Sequence, residues 1–370
     1  MPVPDLGALF AGWRGLAYFW LLVVAVLAAG GVTLQILGPP AGQHREAATT
    51  TPPSGTSPGL AQVAPQPAKP AQPEQQAKQA QQAAPVPAAQ RPGRSAPGPI
   101  ADPDPALLEP VPGSTSDLLP RIADDGRMPM QVYAAGFDTS SRRPRVGVLL
   151  AGIGLSQSDS TSAIHSLPGG ITLAFSPYAQ NPAKLLADAR LSEHEFLLSI
   201  PMEPQGFSLN DPGPEALMTN LSVEQDRTRL LWALSRIRGY VGATAALGTG
   251  LLGERFASLP EEFQPVLSEL AQRGLLYVDP RVGAARLPMV WSRTVDLVLD
   301  EPDAATAIDD KLVQLSNLAR SKGNALGLAT APRPITIQRI AAWADGLTAD
   351  GLALAPVSAL VRPPPKGTGP

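Results

Sequence analysis

Three acidic residues and one arginine stand just beyond apolar runs that read as buried strands. Glu203 follows Phe196 to Ile200, Asp279 and Arg281 follow Leu275 to Val278, and Asp300 follows Thr294 to Leu299. Pro201 and Pro204 forbid helix across the exit of the first run, which holds Glu203 just past the strand end. In α/β folds that end carries the chemistry. Three carboxylates and an arginine could bind a hard cation or the hydroxyls of a sugar, and a carboxylate pair could support acid/base hydrolysis. The alternative is structural: Asp279 and Arg281 pair with each other or with Asp300, because buried charges persist when paired. Thr249 joins these candidates, and Tyr178, Phe207 and Trp291 are the aromatic residues expected near the same face.

The elements that must position these groups alternate. Strands are predicted at 145–150, 171–176, 196–200, 240–245, 275–278, 294–299, 324–329 and 352–356. Between them lie helices at about 156–166, 182–191, 260–273 and 304–322, one begun by the capping box Ser222-Val-Glu-Gln225, and one bearing Ile337, Ile340, Ala344 and Leu347. Asn181-Pro182 reads as a helix start with a good cap. This is an α/β pattern of parallel βαβ units, and seven or eight strands suit a closed or nearly closed (β/α) barrel better than an open sheet.

Upstream the composition changes. From Gly15 to Leu37 no charged residue occurs, with Tyr18, Phe19 and Trp20 at the near edge, so the run is expected to span a membrane as one uncleaved helix. Arg14 places residues 1–14 in the cytoplasm and the rest of the chain on the outer side. Residues 38–117 are rich in Pro, Ala and Gln and hold no aromatic residue, which predicts a disordered linker before a folded region at 118–361 and a polar tail at 362–370.

A net charge of −3 with pI near 5.7 argues against nucleic-acid binding. With no cysteine, thiol nucleophiles and Cys-ligated metals are excluded. Of the three histidines, His44 falls in the linker, while His165 and His194 fall toward the N-terminal face of the sheet, away from the expected site. There is no G-x-G-x-x-G, P-loop or G-x-S-x-G motif.

From about Leu118 to Leu360 the chain resembles the divergent polysaccharide deacetylases, a branch of the NodB-like carbohydrate esterases. The resemblance rests on Leu173-Ala-Phe-Ser-Pro-Tyr178, His194-Glu195, Pro201-Met-Glu-Pro204, Pro212-Gly-Pro214 with Ala216-Leu217, and Arg273-Gly-Leu-Leu276 before Asp279. Leu299-Asp300, Thr336 and Pro356-Val-Ser358 continue it. It implies a deformed (β/α) barrel and, in active relatives, metal-assisted removal of N-acetyl groups from a glycan. The departures fall on the chemistry. Where the family has Ile-Asp-Asp-Leu-Gly, this chain has Leu150-Ala-Gly-Ile-Gly154, with Ala151 and Gly152 at the aspartate positions. Ala246 stands at the histidine of Asn-His-Met-Gly-Ser, and Thr330 at the histidine of Gly-His-Pro. These side chains cannot hold a transition metal, so no cofactor is expected. The expectation is a membrane-anchored envelope protein that binds a glycan or regulates. An enzyme with a relocated carboxylate site and a scaffold for an envelope protein remain the alternatives.

Overall fold

The computed structural model describes Trp20 and residues 97–364. Order begins well before Leu118. The Asp104 side chain accepts from the Ala106 backbone and caps a 3-10 turn at Pro105–Leu107, after which β1 (Leu108–Pro110) and β2 (Leu118–Pro120) pair antiparallel. Ile100 and Leu107 are buried, so the predicted linker boundary at 117 is corrected: the last part of that segment is folded. Scarcity of aromatic residues misled the prediction, since aliphatic side chains suffice where a ready apolar surface receives them.

That surface is the N-terminal end of the sheet. After α1 (Pro129–Val132) come β3 (Arg145–Ile153), β4 (Thr172–Phe175), β5 (Phe196–Ser199), β6 (Gly242–Thr244), β7 (Leu276–Asp279), β8 (Ser292–Thr294), β9 (Leu297–Val298), β10 (Asn324–Ala329) and β11 (Ala353–Leu354). They form one parallel sheet in the order β8-β7-β6-β5-β4-β3-β10-β9, with β11 added to β3. The terminal strands β8 and β9 are separated in the chain by Val295 and Asp296 alone. Val295 N–H donates to Asp279 O at 2.9 Å and Asp296 N–H to Leu326 O at 2.8 Å, so this segment leaves β7 and joins β10 in one step. The single strand predicted at 294–299 is therefore two short ones, and the sheet curls until one extended segment serves both edges.

The connections are α2 (Gln157–Ser166), α3 (Ala183–Leu191), α4 (Val223–Ser235), α5 (Glu254–Ala257), α6 (Pro260–Gln272), α7 (Ala305–Lys322) and α8 (Pro334–Gly346). The capping box at Ser222 and Gln225 is present. The cap expected of Asn181 is not: Pro182 is the N-cap of α3 and no side chain bonds it.

Side chains divide with the period of two that a pleated strand imposes. Val146, Val148 and Leu150 join the core shared with the helices, while Leu149 and Ala151 join Ala174, Leu197, Ala246, Val278 and Leu328 in the barrel interior. Ile100, Leu107, Met130, Tyr133 and Phe137 from the arm, with Val357 and Leu360 from the C-terminal segment, belong to the same interior cluster. Gly147 permits the C-terminal segment to approach, because a Cβ there would lie 2.6 Å from a Leu360 methyl and 2.8 Å from Ala355 O.

Two stretches that carry the resemblance meet at this end. Glu195, wholly buried, accepts from Ala135 N at 3.0 Å, Thr172 Oγ1 at 3.0 Å, Ser358 N at 2.9 Å and Ser358 Oγ at 2.5 Å. One carboxylate thus ties the arm, β4 and the C-terminal segment. Burial pushes its pKa up, against the pull of these four donors.

The C-terminal boundary also shifts. Arg362, placed in the tail by the sequence, exchanges backbone hydrogen bonds with Ser292, both at 3.0 Å. Among the described residues no helix is long and apolar enough to cross a membrane. Apart from Trp20, the predicted span at 15–37 lies outside the described residues, as do His44, residues 1–14 and most of the linker.

Candidate functional site at the barrel mouth

Each predicted carboxylate stands at the C-terminal end of the sheet, and each is already engaged. The backbone of Glu203 donates to Leu217 O at 2.8 Å, which fixes it against the long loop. Its Oε2 accepts from the N–H and the hydroxyl of Thr219, both at 2.7 Å, and Oε1 is 2.9 Å from Arg255 Nε. Asp279, the last residue of β7, is buried and held bidentate by Arg281, with Nε 2.9 Å from Oδ1 and Nη2 2.7 Å from Oδ2. Arg281 also donates to Ala257 O at 2.6 Å, and the Asp279 hydrogen bonds push its own pKa further up. Of the structural pairings foreseen, Asp279 with Arg281 is present. Asp300 has a different partner.

Asp300 accepts from Thr330 N at 2.8 Å and from the Thr330 hydroxyl at 3.1 Å, and Arg333 Nη1 reaches its Oδ2 at 3.2 Å. Arg333 Nη2 donates to Thr249 Oγ1 at 2.8 Å, and Thr249 Oγ1 is 3.0 Å from Thr330 Oγ1. With the Thr330 proton directed at Asp300, the Thr249 hydroxyl must donate to Thr330. The four side chains form a closed ring of donors and acceptors in which Asp300 is buried and Thr249 is exposed.

A profile of the divergent polysaccharide deacetylase family matches residues 148–361, more than half of the chain. The chain belongs to this family. Among solved structures, it is similar to an uncharacterized protein of Agrobacterium tumefaciens C58, with 31% identity and a TM-score of 0.62 over 66% of this chain and 100% of that one. A proposed polysaccharide deacetylase from Mycobacterium smegmatis aligns at 12% identity and a TM-score of 0.37, over 60% of this chain and 90% of that one. No curated protein matches.

The residues at the motif positions of this divergent polysaccharide deacetylase do not fit the metal that the resemblance implies. Ala151 and Ala246 are wholly buried in the apolar interior, and the Thr330 hydroxyl is committed to Asp300 and Thr249. Gly152 has φ +76°, and a Cβ there would lie 3.2 Å from Pro332 Cδ and 3.5 Å from Thr330 O. The motif positions at Gly152 and Thr330 are therefore adjacent in space, and what fills the place is a hydroxyl network closed by a guanidinium. Among the described residues no three His, Cys, Asp or Glu side chains are grouped to hold a metal ion.

The histidines lie elsewhere. His165 is exposed, 3.9 Å from Asp188. His194 is wholly buried, with Nδ1 2.8 Å from Ile171 O and Nε2 3.1 Å from Ile164 O; burial pushes its pKa down while both carbonyls pull it up.

The aromatic candidates are not gathered into a platform. Tyr178 is half-buried, its ring 5.5 Å from that of Trp232, its hydroxyl accepting from Glu215 N at 3.2 Å. Burial pushes that hydroxyl up to about 12. Trp291 packs against the interior cluster, and Phe207 is 44% exposed. The sequence reading missed Arg333, Arg255 and Glu301. Arg333 was legible in principle, since it follows Thr330 by three residues and precedes the proline that opens α8. Glu301 is exposed beside the ring; partial desolvation and then the Asp300 charge push its carboxyl up.

Proposed function

We propose that this divergent polysaccharide deacetylase binds an envelope glycan at the barrel mouth without metal-dependent deacetylation, and that the segment 15–37 holds it at the cytoplasmic membrane with the barrel outside. The observation that carries the first part is the ring of Arg333, Thr249, Thr330 and Asp300 at the place where the metal motif positions meet. Metal-assisted deacetylation depends on a Lewis acid that lowers the pKa of bound water, and neutral hydroxyls beside a guanidinium offer none. The same groups suit a sugar, whose hydroxyls and acetamide carbonyl exchange hydrogen bonds with hydroxyl and guanidinium donors. The reading with a relocated carboxylate site has less support, because both oxygens of Glu203, Asp279 and Asp300 are already bonded. The membrane part rests on the uncharged run from Gly15 to Leu37.

The test is metal content after dialysis together with acetate release from acetylated chitooligosaccharides. Zinc far below one per chain, no chelator-sensitive acetate, and saturable oligosaccharide binding weakened in Arg333→Ala are expected. Stoichiometric zinc, or acetate release abolished by a chelator and restored by metal, overturns the reading. A reporter active only in the cytoplasm, fused after Pro370, should stay silent; activity there overturns the orientation.

A further inference from the structure

A cavity of about 420 Å³, whose lining includes no member of the ring at the barrel mouth, lies where the connection from β7 to β8 contains no helix. Elsewhere in the sheet helices cover the outer face; here the loop 282–286, the start of β8, the end of α7 and the C-terminal segment leave an open cleft. Four cations line it, Arg286, Arg293, Lys322 and Arg362, against one carboxylate, Asp296. An excess of three positive charges around one concavity is not the background of this chain, whose net charge is −3.

The single carboxylate is neutralised from its own side. Asp296 pairs with Arg293, lies 3.6 Å from Lys322 Nζ, and accepts from Leu326 N at 2.9 Å. Arg293, whose side chain is only 14% exposed, donates through Nη1 to Thr294 O at 2.6 Å, and its buried Nε has no partner. A buried guanidinium donor left unsatisfied is uncommon, since such groups are ordinarily paired. The rim is built as well: Arg362 is anchored through its backbone to Ser292, and Arg286 donates to Pro363 O.

We propose that this cleft is a second binding site, distinct from the ring at the mouth, for a saccharide bearing a carboxylate or phosphate group. Guanidinium groups recognise both anions through paired N–H donors, and a concave wall of one sign concentrates such ligands. The volume lies within the range of small-ligand pockets and holds a monosaccharide-sized group. The anion follows from the cleft alone, while the choice of a saccharide rests on the glycan reading proposed above.

Calorimetric titration of the full-length chain at low ionic strength with glucuronate, glucose 6-phosphate, inorganic phosphate and N-acetylglucosamine tests it. Saturable binding of glucuronate or glucose 6-phosphate is expected, the preferred one identifying the anion. The double variant Arg286→Gln, Arg362→Gln, both exposed positions, should weaken that binding about tenfold or more with an unchanged melting temperature. Arg333→Ala at the mouth should leave it unchanged. The proposal is overturned if neither acidic sugar binds, if inorganic phosphate binds as tightly as glucose 6-phosphate, if the double variant binds as before, or if Arg333→Ala abolishes binding.

Discussion

Glu195 offers the most direct test of how the fold is held. In Glu195→Ala four donors lose their acceptor. The hydroxyls of Thr172 and Ser358 can rotate toward other oxygens, but the backbone N–H groups of Ala135 and Ser358 cannot, and each buried donor left alone costs about 1–3 kcal/mol. Relief of the desolvated carboxylate offsets part of this, so a net loss of about 3 kcal/mol is expected. For a domain of this size that lowers the melting temperature by about 6–12 °C. Urea unfolding at constant m-value measures it. The conservative Glu195→Gln keeps the shape but must turn its amide nitrogen toward a donor, for a smaller loss of about 1–2 kcal/mol. It also removes a pH dependence. The folded carboxyl titrates above the unfolded one, so the folded state binds the proton more tightly. The stability contributed by this group is greatest below the unfolded pKa of about 4, falls as pH rises toward the folded value, and is then level. Relative to Glu195→Gln, the wild type should therefore lose stability across that window. An alanine variant within about 0.5 kcal/mol of wild type, or a wild type that gains stability there relative to Gln, refutes the reasoning.

Removing Arg281 leaves Asp279 buried and uncompensated, so Arg281→Met should destabilise by about 3–5 kcal/mol, with Asp279→Asn in the same chain recovering much of it; equal unfolding midpoints for single and double variants would show that the ion pair is not the cause. A chain beginning at Leu118 loses the buried Ile100 and Leu107 and should melt several degrees below one beginning at Pro97, by roughly 1.5–3 kcal/mol per buried side chain; coincident melting curves would mean the arm contributes nothing. Thr249→Val removes the exposed member of the mouth ring while Asp300 keeps Thr330 and Arg333, so stability should change by less than about 1 kcal/mol while chitooligosaccharide binding weakens; a large loss of stability would recast the ring as structural.

Periodicity carried the fold because the sheet obeys it. The alternation of Val146, Val148 and Leu150 against Leu149 and Ala151 places two faces in two cores, and helix boundaries followed from proline and capping residues such as Pro260 and Ser222. What periodicity could not show is long-range pairing. The split at Val295 and Asp296 depends on which neighbour each backbone group meets, and the short run Thr294 to Leu299, interrupted only by Asp296, does not encode that change. The arm from Ile100 was missed for a related reason: its aliphatic residues acquire a partner surface only when the strand ends are assembled. At the mouth the sequence located the carboxylates and one of their cations, Arg281, but not Arg255 or Arg333, which reach Glu203 and Asp300 across separations that no local spacing rule records.

The resemblance itself divides between the two ends of the sheet. Glu195 and Ser358 act at the N-terminal end as a hydrogen-bonded tie, while the degenerate motif positions lie at the C-terminal end. Stability and metal chemistry are thus carried by different residues, and alanine or glycine at the mouth leaves the tie intact. Installing the implied donors at the mouth meets obstacles in the packing. The variant Ala151→Asp, Gly152→Asp, Ala246→His, Thr330→His replaces the implied donors, yet two of them would enter a wholly buried apolar interior, and Gly152 has Pro332 within 3.2 Å of any added Cβ. Arg333 would still bring a fixed positive charge to the place, bound to Thr249 and Asp300, and a divalent cation beside a guanidinium is repelled. The fourfold variant should therefore bind zinc far below one equivalent after dialysis, and gain affinity only when Arg333→Ala is added. Stoichiometric zinc in the fourfold variant would show that the mouth retains the shape of a metal site and that the ring is no obstacle to it.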